Sequence, residues 1–189
     1  MITITREKLI YAMSASNPPV CRVPPKTDIC FQTCDCFEDQ IESKDTPFNG
    51  LDWNRINPAT GPVYIEGAQP GDILKVTIKA ITVTAKQAVM VTMPQLGVLG
   101  DELTQAEVKI VPLQDGFAHL PGGIQYPLKP MIGVIGVAPE EKPFPAVRRI
   151  STVAIWIAKL SVKEQLYGCR LMWKGIVGVR GFTCRYGGW

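Results

Sequence analysis

Several side chains in this sequence have types suited to chemistry. Asp35 stands in Asp35-Cys36-Phe37, beside strand-like residues. A carboxylate there suits a metal ligand or a group that orients one. It equally suits a turn or cap residue that accepts backbone N–H groups. His119 is the only histidine and stands in Phe117-Ala-His-Leu-Pro-Gly-Gly. It can act as a base or ligand, or as a hydrogen-bonded structural residue. Asn57, Thr60 and Gly61 read as a loop able to line a substrate pocket. The plainer reading is a rigid double turn made by Asn57-Pro58 and Thr60-Gly61-Pro62. Cys30, Cys34 and Cys36 are close together, but their spacing is not that of a zinc-finger pair and a second pair is missing. Cys36 as an acyl-forming nucleophile would need a base, and no histidine sits near it in sequence. Buried free thiols are the simpler expectation for the cysteines. Glu66 and Asp72 flank a strand and a turn and read as solvated.

The elements that must position these groups are strands. Residues 73–84 are dense in β-branched types, with Val76, Ile78 and Ala80 alternating with Thr77 and Lys79, which is strand period. Gln69-Pro-Gly-Asp before them is a turn. Shorter strands are expected at residues 63–66 and 107–111. Residues 131–138 form an apolar strand whose glycines suggest bulging or close backbone approach. No long amphipathic helix and no internal repeat appears. The expected class is mainly β, a β-sandwich-like domain with long loops and an irregular C-terminal tail.

Composition bounds the class of protein. A chain of 189 residues with 46% hydrophobic and 20% charged residues is an ordinary globular mix. No apolar run reaches the roughly 20 residues of a membrane-spanning helix. The N-terminus carries acid and base early and lacks a signal-peptide core, so a cytoplasmic location and no membrane partner are expected. The net charge of +3 hides a break. Residues 1–143 hold 12 basic and 16 acidic side chains, net −4, whereas residues 144–189 hold eight basic side chains and only Glu164 as acid, net +7. A basic tail ordinarily suggests nucleic acid, but a different cause is favoured below, and no nucleic-acid partner is expected.

Several blocks resemble the acetamidase/formamidase family. They are Tyr11-Ala-Met-Ser, Pro19-Val-Cys-Arg-Val, Asp35-Cys-Phe with Gln40-Ile, the long run from Leu51-Asp-Trp-Asn-Arg-Ile-Asn-Pro-Ala-Thr-Gly-Pro to Asp72, and Pro127-Leu-Lys-Pro-Met-Ile-Gly-Val-Ile-Gly-Val-Ala-Pro. They run in family order from about residue 8 to 141, and the 57–71 stretch is the most specific. The resemblance implies hydrolysis of a small linear amide such as formamide or acetamide to the acid and ammonia. It implies a divalent metal, zinc being one candidate, on a β-rich fold, and a homo-oligomer in intact relatives. Asp35 and His119 become the catalytic candidates, Asp35 the metal candidate, and Asn57, Thr60 and Gly61 the substrate-binding candidates.

The family continues with His-Gly-Gly-Asn-Met-Asp and later Gly-Asp-Leu-His-Ala, and this chain has neither motif as written. A change of reading frame recovers both. Ser151-Thr-Val-Ala-Ile-Trp-Ile-Ala-Lys can be encoded so that a one-base shift reads His-Gly-Gly-Asn-Met-Asp-Cys-Lys. A second shift near Lys174–Gly175 lets the last fifteen residues read through Gly-Asp-Leu-His-Ala to Met-Gly-Asp-Gly. Some shifted positions are forced by the code: Trp156 before Ile157 gives Asp, Met172 before Trp173 gives Val, and Trp173 before Lys174 gives Glu. Residues 1–143 therefore read as the N-terminal part of a family-like β domain, and 144–189 as an out-of-frame tail. The rivals are a non-catalytic remnant, whose lost strands would leave exposed sheet edges, and a nucleic-acid-binding protein using the basic tail.

Overall fold

A computed structural model describes residues 1–96 and 100–138, together with the strand backbones at 144–145, 153–155, 166–170 and 176–182. In chain order the strands are β1 (Ile2–Ile4), β2 (Leu9–Ile10), β3 (Ala12–Met13), β4 (Cys21–Val23), β5 (Ile29–Phe31), β6 (Ala59–Ile65), β7 (Ile73–Thr77) and β8 (Gln87–Thr92). Then come β9 (Glu107–Gln114), β10 (Phe117–His119), β11 (Gln125–Pro127), β12 (Met131–Val137), β13 (Phe144–Pro145), β14 (Val153–Ile155), β15 (Leu166–Arg170) and β16 (Ile176–Phe182). Short 3-10 turns are the only helical elements among the described residues. The class is mainly β, as the alternating patterns require.

The largest sheet has six strands in the order β14-β12-β16-β6-β2, with β4 also paired in parallel to β6. A four-stranded sheet runs β11-β10-β9-β8. Two-stranded ribbons pair β1 with β5, β13 with β3 and β15 with β7. Of the 144–189 tail, the described segments are these strand pieces; the residues between them lie outside the described set.

β12 shows why an unbroken apolar run becomes a strand. Its neighbouring side chains leave on opposite faces, and both faces are buried. Val134 packs with Met13 and Ala59 on one side. Ile135 and Val137 pack with Phe31, Ile65, Leu74 and Val76 on the other. Ile135 is 1% exposed, and burying such a side chain contributes about 1.5–3 kcal/mol. The expected irregularity at the glycines is present: the register to β16 shifts between Ile132 and Val134, at Gly133. A third cluster joins Ile4, Val23 and Val63 and shares Phe31 and Ile65 with the β12 cluster. The four-stranded sheet has its own core of Ala88, Val111 and Ala118.

One expected strand is shorter than its pattern. β7 ends at Thr77, and the alternation of exposure breaks soon after it: Ile78 is half-buried, but Lys79 and Ala80 are both exposed, so Ala80 does not share the inward face of Val76 and Ile78 as expected. The ladder to β15 stops at the Thr77–Leu166 pair, before the alternation slips. The Gln69–Asp72 turn is as expected. The Asp72 amide donates to the Gln69 carbonyl at 3.1 Å, the Asp72 carboxylate accepts from the Gln69 amide at 2.8 Å, and Gly71 takes φ +95°.

Candidate active site

The chain leaves β5 and turns at residues 34–40. Asp35 starts this turn and closes it. Its Oδ1 accepts the backbone N–H groups of Phe37 and Asp39, each at 2.8 Å. In return the Asp35 amide donates to the Asp39 carboxylate at 3.3 Å. An aspartate whose carboxylate caps nearby amides is a common loop former. Glu38 and Asp39 both have left-handed backbones, φ 54° and 56°. Non-glycine residues visit that region uncommonly, so side-chain anchors must hold it. Arg6 pairs with Asp39. Arg55 pairs with Glu38, and the Tyr11 hydroxyl donates to the Glu38 carboxylate at 2.5 Å.

Asn57 meets this loop directly. Its amide donates to the Cys36 carbonyl at 2.8 Å, and its own φ of 58° suits asparagine better than most residues. Asp35, Cys36 and Asn57 thus come together across some twenty residues of chain. Thr60 and Gly61 follow in β6, and here the structure corrects the expectation of a loop or double turn. β6 begins at Ala59, and Thr60 is paired to Leu9 on one side and to Val179 on the other. Thr60 is 1% exposed, and its hydroxyl donates to the Gln32 carbonyl at 2.8 Å. The Gly61 amide donates to the Lys8 carbonyl at 2.9 Å, and the Gly61–Pro62 peptide is cis. Burial and two ladder neighbours outweigh the turn propensity of Thr-Gly-Pro, and a register shift between Val177 and Val179 accommodates it.

His119 belongs to a different sheet. It lies on β10 opposite Gln125, with Nε2 3.4 Å from the Gln114 carbonyl. Cys34 is buried, and burial, partly offset by Arg6, pushes its thiol above the usual range. Cys21, Cys30, Cys34 and Cys36 are not joined in disulfides. Among the described residues no three His, Cys, Asp or Glu side chains gather in a way that could hold a metal ion. The described side chains therefore do not by themselves make up a metal site.

The Glu38 group was not singled out in the sequence. Burial raises its carboxyl pKa, but hydrogen bonds from Arg55 and Tyr11 outweigh that and hold it below the usual carboxylate range. Burial, followed by the Glu38 hydrogen bond, pushes the Tyr11 phenol up. Glu38 lies 27 residues from Tyr11 and 17 from Arg55, so no local spacing announces the trio. Phe37, Phe48 and Trp53 continue outward edge to face, with centroid separations of 6.4 and 5.3 Å.

The fold and site define a β-rich domain in which a capped acidic loop is locked against an asparagine. Residues 14–159 match the Acetamidase/Formamidase family. The chain belongs to that family. It is 33% identical to an acetamidase from Bacillus halodurans, with a TM-score of 0.90 over 95% of this chain and 61% of that one. It is 35% identical to a predicted acetamidase/formamidase from the thermophile Thermoanaerobacter tengcongensis, with a TM-score of 0.90 over 95% of this chain and 60% of that one. An acetamidase from Yersinia enterocolitica, 19% identical, shares the fold with a TM-score of 0.80 over 99% of this chain and 62% of its own. The chain thus spans about three-fifths of the length of these solved relatives. No curated protein matches it significantly. Among the described residues no helix is long and apolar enough to cross a membrane.

Proposed function

We propose that the gene of this chain encodes a cytoplasmic hydrolase of short linear amides such as formamide and acetamide, and that residues 144–189 are read out of frame. The observation that carries the amidase reading is membership of the Acetamidase/Formamidase family over residues 14–159. Similarity at 33–35% identity to proteins described as acetamidases supports it. The reaction is attack of water on the amide carbonyl, with loss of ammonia from the tetrahedral intermediate. On this chain Asn57 offers an amide side chain, donor and acceptor at once, to match a small amide. Asp35 shapes the loop beside it. A divalent metal would polarise the carbonyl and acidify water in the intact enzyme. Its ligands would come from the His and Asp residues of the shifted motifs, with Asp35 as a candidate to hold or orient it. A homo-oligomer of the intact product is part of the same reading.

The frame reading rests on the charge break at residue 143 and on two family motifs recovered in order. The family match ends inside the tail, at residue 159, so it does not by itself divide tail from domain. A second reading has its own observation: β15 pairs with β7, and β16 lies between β12 and β6. In that reading the tail as written completes the sheets, and the chain is a family member that lacks the two motifs.

Expression of the frame-restored gene tests the amidase reading. Ammonia release from formamide or acetamide is expected. A folded, metal-supplied product that releases none from either would overturn it.

A further inference from the structure

Three ionic or hydrogen-bonded anchors converge on the turn at residues 34–40 from distant parts of the chain. Arg6 holds Asp39, while Tyr11 and Arg55 both hold Glu38. Glu38 is the hub. Its side chain is only 11% exposed, its Oε2 accepts the Tyr11 hydroxyl at 2.5 Å, and its Oε1 accepts Arg55 Nε at 3.1 Å as well as a second guanidinium nitrogen. A carboxylate held by a guanidinium through two nitrogens is fixed in direction as well as place. It sits at the first of two successive left-handed residues. Immediately before it are Asp35, capping Phe37 and Asp39, and Cys36, whose carbonyl receives the Asn57 amide. Arg55 lies two residues before Asn57, so one ion pair ties together both chain segments that form the candidate site.

We infer that Glu38 is the positioning residue of this site: it keeps the 34–40 turn in its left-handed form and so holds the Asp35–Cys36 segment, through the Cys36 carbonyl, on the Asn57 amide. The inference rests on the reading of Asp35 and Asn57 as site residues.

Amide hydrogen exchange on the 189-residue chain reads the turn directly, with or without turnover. The reporters are the amides of Phe37, Asp39 and Asn57, and the references are the paired amides of β8 and β9. In Glu38→Ala the three reporters should exchange faster by about tenfold or more, the scale expected when a charge-assisted hydrogen bond is lost, while the references hold. Glu38→Gln, whose one carbonyl oxygen keeps an acceptor for Arg55, should restore part of the protection. Tyr11→Phe removes one anchor and decides the matter should Glu38→Ala fail to fold; a several-fold rise confined to the reporters is expected. Val111→Ala, which weakens the separate core of the four-stranded sheet, should leave the reporters' ratio to wild type unchanged. Equal acceleration of reporters and references in the Glu38 and Tyr11 variants would make Glu38 a general stability residue and overturn the inference. Unchanged reporters would overturn it too. Failure of amide hydrolysis is read in a different assay on the frame-restored product, so the two failures are distinguishable.

Discussion

Replacing Asp35 separates its two readings. In the structure its Oδ1 accepts two backbone N–H groups at 2.8 Å. A hydrogen bond to a charged group contributes about 1.5–3 kcal/mol where water is excluded. Asp35 is half-buried and Asp39 is exposed, so water recovers part of that in the variant. Asp35→Ala should therefore lose about 1–3 kcal/mol of stability. At roughly 2–4 °C per kcal/mol for a chain of this size, the midpoint should fall by about 2–12 °C. Asp35→Asn keeps a carbonyl acceptor in the same place and should lose about half as much. The assay is urea unfolding followed by tryptophan fluorescence and far-ultraviolet dichroism, with thermal scans beside it. If Asp35→Ala unfolds within about 0.5 kcal/mol of wild type, the ordinary range for surface substitutions, the capping role is wrong. In the frame-restored enzyme Asp35→Asn then isolates chemistry from folding. Loss of ammonia release with stability nearly kept would assign the charge itself to the site.

Other outcomes follow from single contacts. Ile135→Ala should lose about 2–5 kcal/mol by opening a cavity among Phe31, Leu74 and Val76, read by urea unfolding. Thr60→Val takes from the Gln32 carbonyl the hydroxyl donor of a fully buried side chain; Gln32 itself is exposed, so the cost should be about 1 kcal/mol, and Thr60→Ser should cost less. Glu38 has a lowered pKa, so its contribution is present above the ordinary glutamate value of 4.5 and is lost as pH falls through the folded value. The gap in urea midpoint between wild type and Glu38→Gln should thus be widest near neutral pH and close under acid conditions; a gap that widens in acid would refute the assignment. Gly71→Ala should destabilise by about 1 kcal/mol through its φ of +95°, although nothing lies within 4 Å of the added carbon.

The strands were legible because their causes are local. Residues 131–138 are apolar on both faces and have a glycine where the ladder slips, and β12 shows both. Residues 69–72 spell a turn and make one. Thr60-Gly61-Pro62 misled because turn propensity is local, whereas the partners that hold it extended lie at Leu9 and Val179. The Ile73 pattern overran because residue types alone do not show that the inward face is lost at Ala80, which is exposed beside Lys79. Asp35 and Asn57 were legible as residue types, and their meeting through the Cys36 carbonyl was not. Glu38 was invisible, since a carboxylate becomes an anchor only when Tyr11 and Arg55 are brought to it.

The most direct test of the central claim is the nucleotide sequence of codons 138–189, determined again from source DNA. The out-of-frame reading fixes third bases that the protein sequence leaves free. The Ser151 codon must end in C, those of Thr152 and Val153 in G, and those of Ala154 and Ile155 in A, so that the shifted frame spells His-Gly-Gly-Asn-Met. The predicted result is this spelling, either with two bases restored or with the reported bases standing as a decayed gene. Other third bases at those codons, with the reported frame confirmed, would contradict it and leave a family member with a genuine basic tail.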